Sequence, residues 1–155
     1  RQRFLPEKGH QMFSSILIPI DIKNSEPSKD FLRKALFFVN KMNAVAHIVY
    51  VQSTQAATFM EYSTWPINDD SKIENEQNLM KILLEIELFK DLQNTIAIRS
   101  GNILNEIIAE ARKHQADLII INSNTNGSTQ FFTETISSKI LRKAPCSVLV
   151  LNSTN

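Results

Sequence analysis

The chain has 155 residues, of which 43% are hydrophobic and 21% charged, with 17 Lys and Arg against 16 Asp and Glu. This composition is typical of one globular domain with a substantial core. The charge balance excludes a strongly basic nucleic-acid-binding surface, and no apolar run approaches the roughly 20 residues of a membrane-spanning helix. The single cysteine excludes an internal disulfide and fits a reducing compartment, so we expect a cytoplasmic protein.

Residues 1–11 (RQRFLPEKGHQ) have no periodic pattern and mix charged residues with Pro and Gly. Met12 comes directly before the first predicted strand. We therefore expect residues 1–11 to be a disordered leader or a remnant of cloning. Residues 12–155 are expected to form a single domain.

Short aliphatic runs predict five strands, and unbroken runs of this kind are typical of parallel strands buried on both faces. The strands are expected at residues 15–21, 44–52, 94–99, 118–121 and 147–151.

Amphipathic segments between these runs predict four helices. Ser28 is expected to cap the first, which reaches about Met42, and Asn102 to cap the third. The second is predicted at about residues 71–90, and Thr133 or Thr135 is expected to cap the fourth. The apolar stripes of the first, third and fourth helices are Phe31, Leu32, Ala35, Leu36, Val39 and Met42; Ile103, Leu104, Ile107, Ile108 and Ala111; and Ile136, Ile140 and Leu141.

The alternation of strands and helices predicts an α/β fold with a parallel sheet and helices on both faces. In such sheets ligands bind beyond the carboxyl ends of the strands, so we expect the functional site at the polar loop after Ile121. Residues 53–70 form a second long connection, which contains Phe59, Met60, Tyr62 and Trp65. A connection of this length is often a lid or a partner surface, although these side chains could equally pack on the second helix.

Three segments together resemble the universal stress protein family: residues 16–21 (ILIPID), residues 99–121 (RSGNILNEIIAEARKHQADLIII) and residues 137–151 (SSKILRKAPCSVLVL). The resemblance implies a three-layer sandwich with a five-stranded parallel sheet of order 3-2-1-4-5. The last strand, Ser147–Leu151, would then be a sheet edge, and the family resemblance implies a homodimer paired through it. We also expect action through protein partners.

Many members of this family are similar to ATP-binding proteins, with a loop pattern Gly-x2-Gly-x9-Gly-Ser/Thr after the fourth strand. The resemblance implies that ATP or AMP, if any cofactor binds, would lie in a crevice between the first and fourth strands. Asp21 would contact the ribose or adenine, and the backbone of Val51 would contact adenine. The other candidate positions are Asn122, Asn124, Thr125, Gly127, Thr135 and Ser137.

The sequence departs from that loop pattern at every glycine. Asn122 occupies the first position, Asn124 or Thr125 the second, and Glu134 the third. Glu134 would place a carboxylate beside the phosphates, where like charge opposes binding. We therefore expect a degenerate nucleotide loop. Without a ligand, Asp21 would cap the turn after its strand, and the loop hydroxyls would form Ser/Thr turns.

No catalytic or metal-binding motif is expected. His10, His47 and His114 are far apart along the chain, and no residues have metal-ligand spacing. Cys146 precedes a buried strand and is expected to be a structural thiol.

Three hypotheses about function stay open. The first is a non-enzymatic dimeric stress-response factor that acts through protein partners, the second is an adenine-nucleotide sensor, and the third is a slow nucleotide hydrolase or transferase.

Overall fold

The computed structural model describes residues 11–22, 25–53, 69–123 and 135–152. Strands and helices alternate along this described chain, and a short 3-10 helix (Glu87–Asp91) follows the second α-helix. The elements are β1 (Ser15–Pro19), α1 (Ser25–Met42), β2 (Val45–Ser53), α2 (Asp69–Leu84), β3 (Asn94–Gly101), α3 (Ile103–Lys113), β4 (Leu118–Asn122), α4 (Ile136–Lys143) and β5 (Ser147–Leu151). Residues 1–10 of the expected leader and most of the connection at 53–70 lie outside the described residues.

The five strands form one sheet with the order β3-β2-β1-β4-β5, and every pairing in it is parallel. The predicted fold class and strand order are therefore confirmed. Because the order reverses between β1 and β4, the chain connections on the two sides of this pair run to opposite faces of the sheet. A crevice is expected at the carboxyl ends of these two strands.

Consecutive residues of β1 pack into opposite layers, because side chains alternate across a strand. Ile16 and Ile18 belong to the core beneath α1 and α2, whereas Leu17 belongs to the core beneath α3 and α4. All three are fully buried. The sheet is thus covered on both faces, which explains why the inner strands β1 and β4 are aliphatic runs rather than alternating with polar residues.

Two of the predicted helix caps are confirmed and one is wrong. The side chain of Asn102 accepts a hydrogen bond from the Asn105 N–H at 3.0 Å, and Thr135 Oγ1 accepts one from the Ser138 N–H at 3.1 Å. Ser28 does not cap α1, which already begins at Ser25. The earlier start is possible because Pro27, which has no N–H, is tolerated in a first helical turn.

The second helix is shorter than predicted. It ends at Leu84, and residues up to Lys90 do not continue it. Ile86 is extended (φ −96°, ψ 106°), and both Ile86 and Phe89 are buried beyond this break. The helix therefore ends at a point that allows two further apolar side chains to enter the core.

None of the helices that the structure describes has the length and apolar composition that crossing a bilayer would require.

Candidate functional site

The candidate crevice lies at the carboxyl edge of the parallel sheet. β1 ends at Pro19, two residues before Asp21, and β4 ends at Asn122. Val51 lies near the end of β2. Because the strands are parallel, the fold brings Asp21, Val51 and Asn122 to the same edge. The structure therefore groups these three candidate residues, although they are widely separated in the sequence.

Asp21 is exposed and connects the end of β1 to the start of α1. The Ser28 hydroxyl donates a hydrogen bond to the Asp21 carbonyl oxygen. Burial, with a smaller contribution from the Asp21 carboxylate, raises the pKa of the neighbouring Tyr50 hydroxyl. Val51 is buried among the residues beneath α3 and α4, so its side chain is part of the core.

Hydrogen bonds join the end of β4 to the end of β5. Asn122 pairs with Leu151 in the sheet register, and the Ser123 N–H donates to the Leu151 carbonyl at 2.9 Å. The Ser123 hydroxyl also donates to Asn152 Oδ1 at 2.8 Å. The polar loop after β4 therefore starts from a fixed point at the carboxyl edge.

The remaining candidates are divided between α4 and the undescribed loop. Thr135 caps α4, and Ser137 is half-buried in its first turn. The Thr135 hydroxyl also lies 3.0 Å from Ser138 Oγ, so it is already engaged within the helix start. Asn124, Thr125 and Gly127 lie outside the described residues, as does Glu134, and their assignment stays a prediction.

A polar contact at the exit of β2 was not predicted from the sequence. Asn75 Nδ2 in α2 donates to Gln52 Oε1 at 3.2 Å, which joins α2 to the carboxyl edge. Gln52 is a polar residue at the end of an apolar run, and this was the sequence feature that could have indicated a contact there. The weak periodicity of α2 gave no indication that Asn75 would face Gln52.

A charged cluster between α3 and the sheet was also not predicted from the sequence. Arg99 of β3 contacts Glu106 and Glu110 of α3, and Glu110 contacts His114. His47 and His114, which are distant in the sequence, stack with 3.9 Å between ring centroids. The spacing of Glu106, Glu110 and His114 at four-residue intervals was visible in the sequence and was the signal for this cluster.

The described residues contain no group of three or more His, Cys, Asp or Glu arranged to hold a metal ion. Cys146 is half-buried before β5. Burial, and to a lesser degree the Asp117 carboxylate, raises the pKa of its thiol, which favours the unreactive protonated form. These features agree with a structural role for Cys146.

The universal stress protein family model matches residues 12–152. Among solved structures, the universal stress protein UspA from Lactobacillus plantarum has 17% sequence identity and a TM-score of 0.67, with 89% of this chain and 97% of that chain covered. The Archaeoglobus fulgidus universal stress protein in complex with dAMP has 14% identity and a TM-score of 0.63, with coverage of 90% and 98%.

A universal stress protein in complex with cAMP has 13% identity and a TM-score of 0.63, with 92% of this chain and 99% of that chain covered. At these identities the solved structures establish the shared fold alone. The family model, by contrast, extends from before β1 to the end of β5. The chain belongs to the universal stress protein family.

Proposed function

We propose that this protein is a dimeric, non-enzymatic stress-response factor in the cytoplasm that acts through protein partners and does not bind ATP tightly. The observation that carries the proposal is the character of β5, an edge strand bordered by a helix with exposed apolar side chains. The non-enzymatic part rests on the sequence, which offers no nucleophile with a base and no metal-ligand motif.

The two edges of the sheet differ in how well they resist pairing with another chain. β3 begins with Asn94 and Thr95 and contains Arg99, and charged or polar residues are typical of protected edges. β5 consists of Ser147 followed by four aliphatic residues and lies at the opposite edge, next to β4. An antiparallel pairing of two β5 strands about a two-fold axis would satisfy this edge.

The exposed surface of α4 supports the same interface. Ile140 is buried against the sheet, but Ile136 and Leu141, which the sequence placed on the same apolar stripe, are exposed. That part of the predicted stripe is wrong, because this helix of eight residues turns only Ile140 fully into the core. A partner molecule would remove the two exposed side chains from water, which is favourable.

Sedimentation velocity of the parent protein and two matched variants tests the dimer. Leu141 of α4 and Leu84 of α2 are both 52% exposed, so Leu141→Glu and Leu84→Glu should each leave the monomer fold intact. We expect the parent and the Leu84→Glu protein to be dimeric. In Leu141→Glu the dissociation constant of the dimer should rise by about tenfold or more. A monomeric parent, or equal dissociation of both variants, would contradict the proposed interface.

The second candidate function is an adenine-mononucleotide sensor, and the dAMP and cAMP complexes of two fold neighbours favour it. These ligands carry a single phosphate, so the glycine positions that cradle a triphosphate chain matter less for them. In this chain Asp21, Val51 and Asn122 would form the site. This candidate predicts saturable AMP binding that Asp21→Ala weakens about tenfold, because a charged hydrogen bond is lost. Failure of AMP to bind would eliminate it.

A further inference from the structure

Two stacked imidazoles join the end of α3 to the sheet. His47 of β2 is 8% exposed, and its Nδ1 lies 2.7 Å from Thr95 Oγ1 on β3. Its ring stacks on that of His114, the C-terminal cap residue that follows α3, with 3.9 Å between centroids and 15° between planes. The pair therefore bridges a helix end and the two strands beneath it.

The stacked pair continues into a line of charged groups along α3. His114 Nε2 lies 3.1 Å from Glu110 Oε2, and Glu110 Oε1 accepts from Arg99 Nη1 at 2.6 Å. Arg99 Nε in turn donates to Glu106 Oε2 at 2.5 Å. Glu110 is 2% exposed, so the carboxylate that faces His114 is removed from water.

The two imidazoles differ in the groups that would face the positive charge of a protonated ring. A proton on His114 would face the Glu110 carboxylate directly. A proton on His47 would instead face the Thr95 hydroxyl on one side and the His114 ring on the other, while its register partner on β1 is the apolar Leu17. Two stacked cations at this separation repel strongly in a partly buried site.

We propose that the stacked His47–His114 pair is a pH-sensitive switch that holds the C-terminal half of α3 on the sheet at neutral pH and releases it on acidification. Release would loosen Ile107 and Ala111, which belong to the core beneath α3 and α4. The proposal does not depend on whether the protein dimerises or binds a nucleotide.

The direction of the pH effect follows from the surroundings of His47. Burial, and then the His114 ring, lower its pKa from the ordinary 6.5 to about 4, while Glu110 opposes this shift. In the released state the imidazole is in water and binds a proton more readily. The contact therefore stabilises the closed state fully above about pH 6.5 and progressively less as the pH falls towards 4.

Hydrogen exchange of the full chain tests the switch. After correction for intrinsic rates, the opening constant of amides in the last turns of α3 should rise on the order of tenfold between pH 7 and pH 5, and exceed the rise in α1. In His47→Gln, which keeps a polar partner for Thr95 but cannot be protonated, this extra rise should disappear. His10→Gln, which removes the third histidine, is the matched control and should behave like the parent.

A nuclear magnetic resonance titration provides a second test, and its first part uses the parent protein alone. The His47 ring should titrate near pH 4, and His114→Gln should move its midpoint upward, because a neutral amide replaces the second imidazole. A His47 midpoint at or above 6.5 in the parent would overturn the proposal. So would an unchanged acid-induced opening of α3 in a folded His47→Gln protein.

Discussion

At the scale of single residues, Glu110 shows how a buried charge is accommodated between a helix and a sheet. Its two carboxylate oxygens have separate partners, Arg99 and His114, and both partners lie within 3.1 Å. The two carboxylates of Glu106 and Glu110 raise the pKa of the Arg99 guanidinium further, so this group is always charged. The cluster is thus fully partnered, and Arg99 is held by two carboxylates, of which Glu110 is the more buried.

We expect Glu110→Gln to lower the free energy of unfolding by about 2 kcal/mol, because a buried charged hydrogen bond to Arg99 is replaced by a weaker one to a neutral amide. Glu106→Gln is the matched control, since Glu106 also contacts Arg99 but its side chain is 25% exposed. It should cost about 1 kcal/mol or less, because solvent screens the more exposed ion pair. Urea unfolding at neutral pH measures both values, and equal costs would show that the burial of Glu110 is unimportant.

At the scale of secondary-structure elements, the cap of α3 joins the exit of β3 to the helix. Asn102→Ala should lower the free energy of unfolding by about 1 kcal/mol, because the Asn105 N–H loses its side-chain acceptor. Asn105→Ala is a suitable control: Asn105 is exposed in the same turn and contributes its backbone N–H rather than its side chain. Thermal or urea unfolding distinguishes the two, and an equal loss in both variants would contradict a capping role for Asn102.

The elements that could be predicted from sequence are those with a local signal. The β4 run and the Asn102 cap are examples, because an aliphatic run or an Asn before an amphipathic segment is sufficient to indicate them. The end of α2 could not be predicted, since it depends on how the side chains of Ile86 and Phe89 pack in the core. The exposure of Leu141 likewise depends on which side of α4 the sheet occupies.

The His47–His114 stack could not be predicted for the same reason. Each histidine follows or lies within an element whose local pattern is correctly predicted, but their contact requires the packing of α3 across β2 and β3. Only the repeat of Glu106, Glu110 and His114 on one side of α3 is visible beforehand. Local patterns therefore predicted the elements better than the contacts between them.

At the scale of the whole molecule, the strand order reverses near the middle of the sheet, where a crevice is expected, and places an aliphatic strand at one edge. The family resemblance predicted both the order and the grouping of Asp21 with Asn122. Local sequence could not define the phosphate-binding part of the candidate site, because its loop departs from the glycine pattern and its residues 124–134 lie outside the described chain. The proposed weak ATP binding therefore rests on residue chemistry, above all on Glu134.

Calorimetric titration with ATP and Mg²⁺ tests this central claim most directly, with AMP as a parallel ligand and Glu134→Gly as the comparison variant. We predict no saturable binding of ATP by the parent protein, because the Glu134 carboxylate would take the place of the third glycine and repel the phosphates. Restored binding in Glu134→Gly would identify that carboxylate as the cause, whereas absence of binding in both would assign the loss to the missing glycines together. Saturable micromolar ATP binding by the parent would contradict the account, since the Asn-rich loop would then be a functional phosphate site.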